Sequence, residues 1–435
     1  MSPSDETLVI ERIVPGGRGF ARSASGLPVF VRGGLPGDRL RAEQVRDKRS
    51  FLEVERFSLL EAGPERVPPS CVDEARCGGC DLMRLERAAQ HQVKIGILRE
   101  ALMRTGGFQA SDLPAIRLQA PGPELGYRLR VRLQVQAGKV GFFSSASHEL
   151  IEVEACQVAS PEVRTLLGMV RECVRSHSQA FADVESIEAR VLPPGLSNSP
   201  LVDRSSVFLA LARGKRPSAA LGLALELLEV HARVSVAGEH QPIDQKLWVT
   251  DDVFVASPIG GFCQVHQGVN RALVSAVLEL ARSCGARNFL DLYSGSGNFS
   301  LPLAHAGLSG LGIELSRDAT EAAVRGARAQ ALKNVEFRSG DVARAVAQLV
   351  SLAARYDLIV VDPPRAGARD VVRSLVELGK TLVMVSCDPV TLARDLKELV
   401  SAGAVIERLE AWDMFPQTHH VETLCVLNCA AAGAC

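Results

Sequence analysis

Between Thr7 and Phe57 apolar and polar residues alternate in short runs, such as Thr7-Leu8-Val9-Ile10 and Leu27-Pro28-Val29-Phe30-Val31. Pro15-Gly16-Gly17 and Gly33-Gly34-Leu35-Pro36-Gly37 separate them. Two-residue periodicity broken by such turns predicts short strands curled into a small OB-like β-barrel. Pro64 to Pro69 reads as a linker, and Leu82 to Thr105 then shows helical spacing closed by Gly106-Gly107. From 126 to 260 the pattern is again strand-like: Leu129 to Val135, Val140 to Phe143, Leu150 to Val153, Ile187 to Val191, Val207 to Leu211, Ala232 to Val236 and Lys246 to Val249. A helical piece near Pro161 to Cys173 interrupts this central β-rich domain.

After Phe262-Cys263-Gln264-Val265-His266 the periodicity switches regularly between helix and strand. A helix from Asn270 to Arg282 precedes strands at Asn288 to Tyr293, Leu311 to Glu314, Val335 to Arg338, Asp357 to Val361 and Thr381 to Val385. Two more, Val405 to Leu409 and Thr423 to Leu427, would complete a mixed seven-stranded sheet with an antiparallel strand. The fold class expected is α/β, with a Rossmann-like domain at 261–435, a central β-rich domain at 111–260, a cysteine-bearing segment with its helix at 61–110 and the barrel at 1–60.

At 435 residues the chain is too long for one core. Its net charge of -1 supplies no global attraction to nucleic acid, so an RNA site has to be a local basic patch. Arg84 to Arg132 is such a stretch, with nine Lys or Arg against four acids. Within it Arg128, Arg130 and Arg132 alternate, which on a strand puts three charges on one face; a salt-bridged surface is the plainer reading. The arginines of residues 1–60 are nearly balanced by acids. No uncharged run reaches spanning length, Ala219 to Leu228 being broken by Glu226, and the polar start Met1 to Glu6 lacks the pattern of a signal peptide. A cytoplasmic monomer without membrane contact is expected, with Ala430 to Ala432 as a frayed tail.

Eleven cysteines, an odd number, point to metal or catalytic use rather than a disulfide scaffold. Cys71, Cys77 and Cys80 form C-x5-C-G-G-C, whose glycines let the loop fold round a ligand, and Cys156 follows the next β segment as the candidate fourth thiolate. Four cysteines hold either zinc or an iron-sulfur cluster. Cys387 stands alone at the end of the Thr381 to Val385 strand, where ligands of an open parallel sheet bind; a small buried core residue is the bland alternative. Asp291-Leu292-Tyr293-Ser294-Gly295-Ser296-Gly297 lacks the third glycine of a nicotinamide fingerprint, Ser300 standing there. With Glu314 at the end of the second strand and Asp341 after the third, it fits S-adenosylmethionine better. Asp362-Pro363-Pro364-Arg365 ends strand four, its prolines holding Asp362 at the cleft.

Taken together these residues resemble the RNA 5-methyluridine methyltransferases, S-adenosylmethionine-dependent enzymes of tRNA and ribosomal RNA, over nearly the whole chain. The resemblance implies a TRAM barrel at the N-terminus and a [4Fe-4S] cluster on Cys71, Cys77, Cys80 and Cys156. It makes Gly126-Tyr127-Arg128 a central-domain signature. Gln264, Tyr293, Asn298, Glu314, Asp341 and Asp362 fall on cofactor-binding positions, Cys387 on the nucleophile and Glu422 on the base. Barrel and cluster together resemble the 23S rRNA branch more than the tRNA branch.

Two positions depart from the family: Asp388 and His266 stand where asparagine is usual. An acid beside Cys387 is expected to disfavour its thiolate, and the N-terminus of the following helix to favour it. Competing readings are a tRNA uridine-C5 methyltransferase, an adenine amino-methyltransferase, which would need neither Cys387 nor Glu422, and a non-catalytic RNA-binding oxidant sensor.

Overall fold

The computed structural model describes residues 6–144, 147, 149–193, 200–238 and 244–429, so the Ala430 to Ala432 tail lies outside the described residues. The architecture follows from where apolar side chains alternate. In the strand Tyr356–Val361, Leu358 and Val360 face one core while Ile359 and Val361 face another, all fully buried. A parallel strand covered on both faces requires this continuous apolar run. The first face is roofed by the helices Gln267–Ser283, Ser300–His305 and Arg317–Ala329. Val342–Ser351, Val372–Leu378 and Pro389–Ser401 roof the second, joined there by the distant helix Arg87–Arg104 through Val93, Ile97 and Leu102.

The sheet runs Val335–Ser339, Ser309–Glu314, Asn288–Leu292, Tyr356–Val361, Gly379–Ser386, Glu422–Asn428, Val405–Trp412 and Ile116–Gln119. The first five are parallel, and Glu422–Asn428 is antiparallel to both neighbours. This sheet has eight strands rather than the expected seven. Ile116–Gln119, from the stretch assigned by sequence to the central domain, pairs in parallel with Val405–Trp412 and satisfies that strand's open edge. Four residues between Pro114 and Pro121 carry too little periodicity to announce this.

The central sheet orders Leu150–Ile151, Lys139–Phe143, Arg130–Gln136, Val184–Val191, Ser205–Leu211 and Arg233–Val236. Pro161–Ser176 and Ala219–Glu229 bury Val170, Val174, Leu221 and Leu225 against it. The Lys246 to Val249 strand belongs instead to a separate hairpin, Asp244–Trp248 with Phe254–Pro258. Buried Arg190 ties hairpin to sheet, donating to Ser206 and Gln245 and to Ser257 and Pro258 at 2.9–3.3 Å. At the N-terminus Thr7–Val9, Arg39–Asp47, Leu52–Glu61, Pro28–Val31, Gly19–Arg22 and Arg12–Ile13 form a six-stranded barrel-like sheet around Leu8, Val29, Val31, Leu40 and Val54. Among the described residues no helix is long and apolar enough to cross a membrane.

Candidate active site

The strand order reverses between Asn288–Leu292 and Tyr356–Val361, and beyond their carboxyl ends opens a cleft of about 1410 Å³. Gln264, Tyr293, Asn298, Glu314, Asp341, Asp362, Cys387 and Glu422 all line it, although they are far apart in sequence. Arg130 and Phe208 of the central sheet line it as well, with Arg128 just before that sheet's strand Arg130–Gln136.

At the end of Asn288–Leu292 the chain turns sharply: Tyr293 has φ of 62°, Gly295 54° and Gly297 91°. A non-glycine residue held there is strained, a condition that clusters at functional sites. Nothing lies within 4 Å of where a Gly295 side chain would begin, so the turn leaves free space at the cleft. Glu314 fixes the turn, accepting from the amides of Gly295 (3.0 Å) and Ser316 (2.7 Å). Each carboxylate oxygen keeps a lone pair for a ligand. Asn298 exchanges side-chain hydrogen bonds with Asn270 at 2.9 and 3.0 Å, and Asp341 caps the helix Val342–Ser351 through the Arg344 amide at 2.9 Å. Ser300, where a third glycine would stand, is buried and donates to Asp291 at 2.5 Å.

Two acids, Asp362 and the buried Glu422, line the cleft, and a third, Asp291, lies fully buried beneath the glycine turn. Burial pushes the Asp291 carboxyl up to about 7 against the bond from Ser300. Burial and then the charge of Asp291 raise Asp362; burial and then Asp362 raise Glu422 well above the usual carboxylate range. Carboxyl groups that raise one another this way favour a cation beside them in the cleft.

Cys387 ends the strand Gly379–Ser386, half-buried. Burial, then the charge of Glu422, push its thiol up to about 11; Arg365 opposes both through its charge and a hydrogen bond, while Asp362 adds to the rise. The geometry gives Asp388 a second part to play beside Cys387. Asp388 is the cap of the helix Pro389–Ser401, its Oδ1 accepting from Val390 (3.0 Å) and Thr391 (2.9 Å). The acid occupies the helix terminus and the two satisfy each other. The acids that raise the thiol most are Glu422 and Asp362, from other strands. In the free protein, alkylation of Cys387 by iodoacetamide should therefore keep rising with pH toward 11, instead of levelling off near the ordinary thiol value of about 8.5. Removing the principal negative neighbour favours the thiolate, so Glu422→Gln should shift this profile to lower pH; an unshifted profile would contradict the electrostatic assignment.

His266 also caps, its ring Nδ1 accepting from the Val269 amide (3.4 Å) while Nε2 donates to the Pro123 carbonyl (3.1 Å). It stacks on Tyr127 at 4.8 Å. The Arg128, Arg130 and Arg132 group serves two purposes: Arg130 and Arg132 pair with Glu188 at 3.6 and 3.2 Å, while Arg128 and Arg130 face the cleft. Sequence reasoning assigned no role to Arg365 or to His420, whose ring lines the cleft against Phe415 and is held neutral by burial, its pKa drawn down to about 4. Arg365 directly follows Asp362-Pro363-Pro364, and that adjacency was the available signal.

Behind the cleft wall Cys71, Cys80 and Cys156 pack on Met83, Tyr127, Val158 and Val265. Cys77 lies close enough to Cys156 and Cys71 for their charges to raise its thiol after burial does; burial and Cys156 push Cys80 up to about 12. Every described cysteine is a free thiol. Among the described residues no group of three His, Cys, Asp or Glu is spaced to bind a single metal ion.

Residues 211–429 match the family described as tRNA (Uracil-5-)-methyltransferase. The 23S rRNA (uracil(1939)-C(5))-methyltransferase RlmD of Chromohalobacter salexigens is 34% identical, the match covering 97% of this chain and 89% of that protein. Its namesake from Pseudomonas fluorescens is 31% identical over 99% of this chain and 93% of its own. In fold the chain resembles the tRNA (uracil-54, C5)-methyltransferase of Pyrococcus abyssi, solved with S-adenosyl-L-homocysteine. The TM-score is 0.73 at 22% identity, covering 97% of this chain and 99% of that one.

Proposed function

The chain belongs to the uracil-5-methyltransferase family, and we propose that it methylates C5 of one uridine in 23S rRNA, with S-adenosylmethionine as the methyl source. The observation that carries this reading is the convergence of a lone thiol, Cys387, and a buried carboxyl, Glu422, on a cleft whose glycine turn, Glu314 and neighbouring acids suit a cationic adenosine ligand.

C5 of uracil is too weak a nucleophile to accept a methyl group unaided. Cys387 adds its sulfur to C6, and the C5–C6 electron pair moves into an enolate that makes C5 nucleophilic. S-adenosylmethionine, when bound, supplies the electrophilic methyl group that C5 takes up. Glu422 then accepts the proton of C5; that C–H pair re-forms the C5–C6 double bond as the C6–sulfur bond breaks. A carboxyl raised by burial suits this, because a base works best when its pKa approaches the working pH. Asp362 and Glu422 line the same cleft, so a cationic ligand held there would favour the ionised form of the base. Arg365 holds the thiolate form of Cys387 against its acidic neighbours. The uridine has to leave its stack to enter the cleft, and Arg128 and Arg130, which line it too, supply charge for the adjoining phosphates.

Glu314 would take the ribose hydroxyls, with Gln264, Tyr293, Asn298, Asp341 and Asp362 completing the site. Glu314→Ala should weaken S-adenosylmethionine binding by about 1–3 kcal/mol, the scale for losing a charged hydrogen-bond partner. Unchanged affinity in calorimetry would remove Glu314 from the site.

For the four cysteines we propose a [4Fe-4S] cluster. Cys71, Cys80 and Cys156 pack on one apolar nucleus, and burial raises the thiols of Cys71, Cys77 and Cys80, each raised further by the charge of a neighbouring thiol, which suits a cationic iron-sulfur core that neutralises them. Protein purified without air should carry about four irons with sulfide, and Cys80→Ser should lose both. Stoichiometric zinc without sulfide would replace this assignment by a structural zinc site.

The ribosomal target rests on matches that span nearly the full length of the 23S rRNA enzymes, whereas the tRNA enzyme shares only the fold. Nucleoside mapping tests it. Cells lacking the protein should lose one 5-methyluridine from 23S rRNA and none from tRNA; loss from tRNA alone would reverse the assignment.

A further inference from the structure

Loop 413–421, between the strands Val405–Trp412 and Glu422–Asn428, turns His420 and Glu422 into the cleft, yet residues 81–127 hold most of its polar groups. Fully buried Lys94 donates to Asp413 Oδ1 (2.6 Å) and to the carbonyls of Phe415 (2.9 Å) and His420 (2.7 Å). The Tyr127 hydroxyl donates to the Pro416 carbonyl at 3.1 Å. Gln90 bonds the side chain and amide of Gln417 at 3.0 and 3.2 Å, and the Leu82 amide donates to the Gln417 carbonyl at 3.0 Å.

One of these anchors belongs to the four-cysteine loop itself. Asp81 directly follows Cys80; its Oδ1 accepts from the His419 amide at 2.8 Å and its Oδ2 meets the His419 ring Nδ1. The barrel presses on the same pair, since a Cβ on Gly17 would collide with both the Asp81 carboxylate and the His419 ring. The His419 ring lies 4.2 Å from the His420 ring, which lines the cleft two residues before Glu422. A continuous path therefore runs from Cys80 through Asp81 and His419 to the loop that aims the base.

We propose that Asp81 is a positioning residue that couples the state of the four-cysteine loop to the placement of Glu422. The consequence for turnover rests on the methyltransferase reading above; the consequence for loop order does not. Cys387 is carried by a different strand, so releasing the Asp81 to His419 clasp should spare addition to C6 and slow the proton removal that follows.

The test compares wild type, Asp81→Ala, Asp81→Asn and His419→Gln, each purified without air. Hydrogen exchange in Asp81→Ala should speed up about tenfold or more across 413–421 while the strands Asn288–Leu292, Tyr356–Val361 and Gly379–Ser386 stay protected. Stripping metal from wild-type protein with a chelator should produce the same pattern. With 23S rRNA from cells lacking the protein, turnover of Asp81→Ala should fall about tenfold or more, and a covalent RNA adduct should accumulate on ordinary uridine. Asp81→Asn keeps an oxygen for the His419 amide and should recover much of both. His419→Gln removes the ring contact but keeps the amide bond and does not touch the cysteine loop, so it should speed exchange over 413–421 in the same direction, to a smaller extent, even if Asp81→Ala does not fold. Wild-type exchange over 413–421 in both Asp81→Ala and His419→Gln overturns the coupling, as does loss of metal from Asp81→Ala with that loop still protected. A wild-type protein that methylates no uridine defeats the functional reading instead, and the exchange data then decide the coupling alone.

Discussion

Replacing Cys387 by alanine should leave a folded protein whose methyl transfer is reduced about ten-thousand-fold or more, the scale for removing a covalent nucleophile. The competing expectation treats the thiol as core filling. Cys387 is only half-buried, so truncation leaves little cavity and a stability loss of about 1 kcal/mol at most. The two readings separate in the activity per folded molecule. A substrate RNA carrying 5-fluorouridine sharpens the contrast, because fluorine cannot depart from C5 as a proton does. Wild-type protein should migrate as a covalent RNA adduct on a denaturing gel, in full yield only with S-adenosylmethionine present, and Cys387→Ala should give none. Glu422→Gln should add and methylate ordinary uridine but release it slowly, so that adduct builds up without fluorine. A folded, active Cys387→Ala protein would end the mechanism.

What the chain discloses before folding is whatever local pattern encodes. The parallel strands were readable because burial on both faces demands unbroken apolar runs such as Leu358-Ile359-Val360-Val361. The glycine turn and Glu314 were readable because a ligand must approach the backbone there. The helix Ala219–Glu229 was not, since its outward Leu223 and Leu227 hide the polar face that a surface helix shows. Asp388 was read only in part: adjacency to Cys387 suggested an electrostatic role, while its position before Pro389 also makes it a helix cap. Sequence could not show that Arg365 reaches Cys387 or that Glu422 and Asp362 repel, because those pairs meet only when separate strands end together. The holders of loop 413–421 were least visible of all. Lys94 and Gln90 sit on the buried face of the helix Arg87–Arg104 and find their partners 319 and 327 residues away.

Lys94→Met should be the most destabilising single substitution outside the hydrophobic core. The lysine is wholly buried with all three donors used, and Asp413, equally buried, would be left with Arg87 at 2.6 Å and the His91 ring at 3.6 Å, both on its other oxygen. Breaking a buried ion pair from one side costs about 3–5 kcal/mol, because the remaining charge stays out of water. The surviving Arg87 contact places the expected loss near the lower end of that range. Methionine fills the space of the lysine stem, so lost packing contributes little. Trp412, next to Asp413, reports the transition by fluorescence, and the urea midpoint of Lys94→Met should fall clearly below wild type. Adding Asp413→Asn removes the stranded charge, so the double variant should be more stable than Lys94→Met alone. That sign is diagnostic: additive losses would mean that the two side chains do not form one unit. The double variant should still turn over slowly, because the carbonyls of Phe415 and His420 have lost the donor that holds the loop before Glu422 in place.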